Sequence, residues 1–95
     1  MNSTAVFLDS AFIVHEFTYN RVHYKVILSP ELYPDEGGLD FTGNYNGILI
    51  SSNRGSKVFE LYPDAHLRWE PNPKGMDPGI IDELDKIITA FRQQH

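Results

Sequence analysis

Imidazole groups are the side chains of this chain best suited to acid–base or metal chemistry, because they titrate near neutral pH and also bind metals. The four histidines are His15, His23, His66 and His95. No pair has the His-x-x-x-His or His-Glu-x-x-His spacing that brings two ring nitrogens to one face of a helix around zinc. The histidine spacing therefore predicts no metal site.

Nucleophilic chemistry has no motif in this sequence. There is no cysteine, which excludes a thiolate nucleophile, a disulfide framework and a cysteine metal site. No serine lies in a Gly-x-Ser-x-Gly elbow, and Gly37-Gly38 lacks the lysine and the hydroxyl residue of a phosphate-binding loop. The balance is against an enzyme, and a small enzyme whose site forms only in the folded chain stays an alternative.

Oxygen ligands for a hard cation gather near the central glycines, at Asp35, Glu36, Asp40, Asn44 and Asn46. Calcium prefers such oxygen-rich loops. The spacing does not match an EF-hand, and the two asparagines suit strand and turn positions. We therefore predict no metal and no cofactor.

Charge and hydropathy set the expected partners and compartment. The 95-residue chain carries 13 acidic and 8 basic residues, a net charge of −5, and the basic residues are spread along it. This balance repels a polyanion, which predicts no nucleic-acid partner. The apolar run at residues 5–8 stops at Asp9, too short for a signal-peptide core, and no stretch suits a membrane span. We expect one cytoplasmic domain over residues 1–95.

Turn signals divide the chain into an antiparallel meander. Asn20-Arg21 and Asn46-Gly47 suit two-residue hairpin turns, and Asn-Gly is the favoured pair where both positions need positive φ. A turn at Asn46-Gly47 leaves Leu49 on the outer face. The predicted strands are residues 12–19, 22–28, 39–45, 48–52, 57–62 and 66–70, and residues 4–12 form either a short strand or a helical turn.

The predicted registers pair apolar side chains across the later strands. A turn centred on Arg54-Gly55 sets Ile50 opposite Phe59. A loop at residues 63–65 then sets Phe59 opposite Trp69, which places Trp69 on the core face. Cross-strand pairs of this kind stabilise a sheet.

A helix over residues 78–93 completes the pattern. Asp77 is a good N-cap, and Pro78 suits the first helical position. The apolar residues recur at helical spacing, which predicts one stripe packed against the sheet. The stripe comprises Ile80, Ile81, Leu84, Ile87, Ile88 and Phe91.

These elements predict an α+β fold, an antiparallel β-meander of about six strands packed against one C-terminal amphipathic helix. The alternative is a partly closed small barrel with the helix as its plug, which resembles the pleckstrin-homology superfold in element order alone. Element order does not carry a lipid-binding function over to this chain.

His15 is a candidate cavity residue. The register of the first hairpin places it between Ile13 and Phe17 and opposite Val26, on the apolar face of the sheet. His23 falls on the other face, so the two histidines cannot share a metal. The favoured interpretation is a core or rim histidine bonded to a backbone carbonyl or to water, since buried polar groups find partners. A histidine on an apolar face also suits a ligand cavity, which makes a small-molecule carrier an alternative function.

The segment 29–38 is predicted to be a loop, because proline and glycine bound it. Loops often carry recognition residues, and tyrosine suits interfaces. Leu32 and Tyr33 stand here beside Asp35 and Glu36. The alternative is that Leu32 and Tyr33 plug one end of the core. An open meander also leaves edge strands that another chain can pair with. The sequence therefore predicts a non-catalytic protein-binding or adaptor module that uses this loop, with a homodimer as one form of it.

Overall fold

Five antiparallel strands and one helix form the fold of the residues that the structure describes. The computed structural model describes residues 12–66 and 68–94, with Leu39 described by its backbone alone. The sheet is open, and its strands follow one another in chain order, which confirms the predicted meander and not the barrel. The elements are β1 (Ile13–Tyr19), β2 (Val22–Asp35), β3 (Gly38–Ser51), β4 (Gly55–Pro63), β5 (Trp69–Asn72) and α1 (Pro78–Gln94).

The first hairpin forms as its turn residues predict. Asn20 and Arg21 have φ values of 52° and 66°, and positive φ at both central residues is typical of a type I′ turn. The pairing places Tyr19 opposite Val22 and His15 opposite Val26. This register is the predicted one.

The second predicted hairpin is wrong. Residues 39–45 and 48–52 belong to one strand, β3, and Asn46-Gly47 lies inside it. Neither of these two residues has a positive φ. β2 and β3 instead join at Glu36-Gly37, so most of the predicted loop 29–38 is strand. One long strand, β3, replaces two predicted short strands, which explains why residues 12–66 and 68–94 form five strands and not about six.

Packing explains why the Asn46-Gly47 signal is not used for a turn. Gly47 pairs with Leu28 on one side and with Phe59 on the other. A β carbon at Gly47 would lie 2.9 Å from Leu28 Cδ2 and would collide with the Phe59 ring. Glycine thus makes room for two core side chains at the centre of the sheet, a role that glycine often has inside strands.

The register between β3 and β4 differs from the prediction by an odd number of residues. A three-residue loop joins the two strands, and Ile50 lies opposite Ser56 instead of Phe59. An odd shift exchanges the two faces of a strand. Leu49, predicted to face outwards, is therefore buried at 9% exposure, and Ile48 is turned to the outside.

The register between β4 and β5 differs from the prediction by an even number. Trp69 pairs with Pro63 and not with Phe59. An even shift preserves the faces, so Trp69 stays on the core face as predicted. Its indole Nε1 donates a 2.7 Å hydrogen bond to Asp85 of the helix, and its ring meets Tyr45 edge-on at 5.6 Å between centroids.

Asp64 explains the longer connection before β5. Its carboxylate accepts hydrogen bonds from the backbone N–H groups of Arg68 at 2.9 Å and His66 at 2.8 Å. These bonds hold the pKa of the Asp64 carboxyl below its usual value. The loop therefore includes residues that were predicted to belong to a strand at 66–70, and β5 begins at Trp69 instead. Leu67 lies outside the described residues.

Helix α1 covers one side of the sheet, which we term the inner face. Asp77 is the N-cap as predicted, since its Oδ1 accepts the N–H of Gly79 at 2.8 Å. Of the predicted stripe, Ile81 and Phe91 are half-buried and the other members are buried. The buried apolar residues are Val26, Leu28, Tyr45, Leu49, Phe59, Leu61, Ile80, Leu84, Ile87 and Ile88.

The N-terminal prediction falls almost entirely outside the described residues. Of the segment 4–12, the structure describes Phe12, which precedes β1 and is 43% exposed. His95 lies outside the described residues as well.

Candidate functional site

The β2–β3 hairpin extends beyond its neighbours in the sheet. Pairing with β1 stops at Leu28, and pairing with β4 starts at Tyr45. Residues 31–42, which we term the arm, form the end of this hairpin. In the pairing that the structure describes, the two strands of the arm bond only to each other.

A polar cluster marks the base of the arm. The register shifts between the pairs Pro30–Tyr45 and Leu32–Phe41, so that β3 has extra residues there. Glu31 Oε1 accepts hydrogen bonds from Thr42 Oγ1 at 2.9 Å and Asn44 Nδ2 at 3.1 Å. A bulge of this kind bends a strand and raises its twist. The cluster therefore sets the direction in which the arm leaves the sheet.

The arm is amphipathic. Leu32 lies opposite Phe41, and Pro34 shares their face because side chains alternate along a strand. The other face carries Tyr33 opposite Asp40, with the hydroxyl 3.5 Å from the carboxylate Oδ2. Phe41 is 55% exposed and Tyr33 43% exposed, so both aromatic rings are open to solvent.

The end of the arm is acidic. Asp35 and Glu36 are exposed, and Asp35 Oδ1 accepts the N–H of Glu36 at 2.7 Å. Residues 31–42 contain four acidic residues and no basic one. A strongly negative field therefore surrounds the exposed aromatic rings.

All four residues of the predicted binding loop lie on the arm, in strand and turn and not in a loop. Leu32, Tyr33 and Asp35 belong to β2, and Glu36 is in the turn. The structure adds Phe41 and Asp40, which sequence reasoning missed because it assigned residues 39–45 to another hairpin. A signal was present in the sequence. A two-residue turn at Glu36-Gly37 would pair Leu32 with Phe41, because each stands four residues from the turn.

His15 is on the inner face as the register predicts, but its side chain is exposed. It lies on β1, an edge strand of the described sheet, and no described strand pairs with the free side of β1. It lines neither of the two concave regions that are described next. A cavity at His15 therefore stays a prediction without a geometric basis.

A concave region of about 410 Å³ lies at the opposite end of the β2–β3 hairpin. Its walls come from the β1–β2 turn, the β3–β4 loop and the segment 73–77 that leads into the helix. We term it the basic groove, because Arg54, Lys57 and Lys74 line it. Its apolar lining residues include Tyr24, Leu49, Phe59, Met76 and Ile80.

The three cations of the basic groove have no carboxylate partner within the described part of the chain. The salt bridges found there join other residues, Glu16 with His23 and Glu83 with Lys86. One described lining residue of the groove is acidic, Asp77. Its carboxylate already accepts the Tyr19 hydroxyl and the N–H of Gly79, each at 2.8 Å. The groove is therefore a positive patch on a negatively charged protein.

A second concave region, of about 520 Å³, lies on the outer face of the sheet. It includes part of an apolar row in which Val14, Ile27, Ile48 and Val58 are paired across four strands. Val58 is 72% exposed and Ile48 37% exposed. We term these four residues the outer row.

The remaining ionisable contacts are structural in character. On the outer face His23 Nε2 lies 2.8 Å from Glu16 Oε1, and this hydrogen bond lowers the pKa of the Glu16 carboxyl.

In residues 12–66 and 68–94 no group of three or more histidine or acidic side chains is arranged to hold a metal ion. No helix among these residues is long and apolar enough to span a bilayer.

Comparison with known proteins returns no relative: no protein-family model, no curated protein and no solved structure matches this chain.

Proposed function

We propose that this chain is a non-catalytic protein-binding module, and that the arm is its recognition element. One observation carries the proposal: an amphipathic two-stranded hairpin projects past its neighbours with Phe41 and Tyr33 open to solvent. A two-stranded hairpin on its own is marginally stable in water. A partner that buries the apolar face of the arm would supply the packing that the sheet does not.

The chemistry of the arm suggests the kind of partner surface. Aromatic side chains are enriched in the cores of interfaces, where they supply most of the binding energy. The surrounding carboxylates of Asp35, Glu36 and Asp40 favour a partner that presents basic residues around an apolar hollow. We place this interaction in the cytoplasm and assign no nucleic acid to it.

Charge reversal at the end of the arm tests the proposal. We expect Asp35→Lys/Glu36→Lys to lower partner recovery about tenfold, because it replaces attraction by repulsion at an interface rim. The melting temperature should stay within the error of the measurement, since both side chains are exposed. The readout is quantitative mass spectrometry of proteins retained on the immobilised chain.

A matched control carries the same change in charge away from the arm. Glu70→Lys/Asp82→Lys alters two exposed acidic residues on β5 and the helix. We expect this control to retain the proteins that the arm variant loses. Equal recovery by the wild type, the control and the arm variant would show that the arm is not the binding element.

A further inference from the structure

The proposed function does not say which protein the arm binds. On the assumption that the arm is a recognition element, we infer that its partner is a second copy of this chain, with the end of the arm seated in the basic groove. Two features of the described residues carry this inference: the arm and the groove are complementary in charge and in apolar surface, and they lie at opposite ends of the molecule.

Charge complementarity is the first feature. The arm carries Glu31, Asp35, Glu36 and Asp40 without a basic residue. The basic groove offers three cations without a carboxylate partner among the described residues, and its acidic residue, Asp77, is already engaged. Two copies with a net charge of −5 each repel one another in general. The arm and the groove are the surfaces through which they attract.

Apolar complementarity supports the same pairing. The apolar face of the arm presents Phe41, Leu32 and Pro34. The groove contains rings and aliphatic groups from Tyr24, Leu49 and Met76 behind its charged rim. An apolar centre with a charged rim is the usual anatomy of a specific interface. The groove thus fits a short amphipathic hairpin end better than a small inorganic anion.

Geometry then predicts a closed dimer. β2 and β3 contain 14 residues each, and they run from the basic groove at one end to the tip of the arm at the other. The molecule measures 45 Å along its longest axis. Two copies side by side in opposite directions place each arm at the groove end of its partner. Both contacts form together, as in the twofold dimers that are the commonest assemblies.

The absence of cysteine in the sequence allows a direct test of proximity between copies. Gly37→Cys at the tip of the arm and Asn53→Cys in the groove leave every charge in place, and a β carbon at Gly37 meets no other atom within 4 Å. The two variants are mixed under mild oxidation, and the masses of the products are measured by mass spectrometry without reductant. We expect a mixed disulfide dimer to form at least about tenfold faster than either homodimer, because the arm–groove contact raises the effective concentration of one thiol near the other. The control mixture pairs Gly37→Cys with Ala90→Cys, which leaves every charge in place at an exposed position near the end of the helix away from the groove, and it should not show this excess.

Charge reversal supplies the equilibrium test by analytical ultracentrifugation at low salt. We expect Asp35→Lys/Glu36→Lys alone and Arg54→Glu/Lys57→Glu alone each to raise the dimer dissociation constant at least about tenfold. A chain with all four changes should regain most of the lost affinity, because the charges are exchanged. Added salt should weaken the wild-type dimer.

The outcomes separate this inference from the proposed function. Equal cross-linking rates in all mixtures, or a wild type that stays monomeric, would overturn the second copy as partner. If the arm variant still loses other retained proteins in that case, the arm remains a recognition element with a different partner. If it loses none, both proposals fail. A dimer that persists in both the Asp35→Lys/Glu36→Lys variant and the Arg54→Glu/Lys57→Glu variant would also overturn the arm–groove contact.

Discussion

At the scale of single residues, a hydroxyl–carboxylate hydrogen bond ties β1 to the start of the helix. Tyr19 OH donates to Asp77 Oδ1 at 2.8 Å, while the same carboxylate oxygen accepts the N–H of Gly79. The bond raises the pKa of the Tyr19 hydroxyl, since loss of the proton would place two anions side by side. Asp77 thus caps the helix and fixes its entry against the first hairpin.

This bond predicts a specific loss of stability in alkali. A folded-state pKa above the unfolded value means that the stabilisation is complete below the unfolded pKa of tyrosine, about 10. It is lost as the pH rises through the higher folded value. We expect Tyr19→Phe to be less stable than the wild type near neutral pH and to lose less stability above about pH 10. Urea denaturation at a series of pH values measures both effects.

The control for this residue changes the other partner. Asp77→Asn keeps an oxygen for the N-cap but removes the negative charge. We expect it to flatten the alkaline limb in the same way as Tyr19→Phe. An alkaline limb in Tyr19→Phe as steep as that of the wild type would show that the hydrogen bond does not contribute.

At the scale of elements, the course of β3 depends on Gly47. A β carbon there would collide with the Phe59 ring and press on Leu28. We expect Gly47→Ala to lower the free energy of unfolding by about 1–3 kcal/mol, the usual cost of overpacking a core. Chemical denaturation measures this change.

A second substitution distinguishes this strand from a turn at the same position. Phe59→Leu shortens the side chain that a β carbon at Gly47 would meet, so the double variant should be more stable than the sum of the two single effects. A turn with positive φ would give no such coupling, because the strain would lie in the backbone of Gly47 itself. Strict additivity would therefore contradict the described pairing. Gly37→Ala, where the β carbon meets open space, serves as the control.

At the scale of the whole molecule, the two faces of the sheet have different roles. The inner face packs against α1. Among the described residues the outer row is more exposed: three of its four side chains, Val14, Ile48 and Val58, are 37–72% open to solvent. Leu61 is fully buried, and Val58, three residues earlier on the same strand, is 72% exposed. The two faces of β4 thus differ strongly in how far their side chains are buried.

This contrast predicts unequal costs of truncation. Leu61→Ala should lower the free energy of unfolding by about 2–5 kcal/mol, because it leaves a cavity in the core. Val58→Ala should change it by no more than about 0.5 kcal/mol, as for other surface positions. Urea denaturation of both variants at a concentration where the chain is monomeric is the measurement. A loss of unfolding free energy at Val58 as large as that at Leu61 would contradict the exposure of the outer row.

Much of the candidate site was predictable from residue types, but its shape was not. Leu32, Tyr33, Asp35 and Glu36 stand together in the sequence, and their mixture of apolar and acidic side chains marks the segment as a candidate. Their partner Phe41 was missed, because that contact depends on where β2 turns into β3, and the stronger turn signal at Asn46-Gly47 placed the turn elsewhere. The basic groove was also hidden, since Arg54 and Lys57 lie at the β3–β4 connection whereas Lys74 precedes the helix, and only the fold brings them together.

The sequence by itself determined the elements whose signals are local. The Asn20-Arg21 turn and the Asp77-Pro78 helix start form as predicted, because backbone conformation and capping act within a few residues. The tertiary structure decided the register of the middle strands. Asn46-Gly47 carries a strong turn signal, yet β3 runs straight through it. Pairing on both sides of the strand and space for the Phe59 ring outweigh a local preference for a turn.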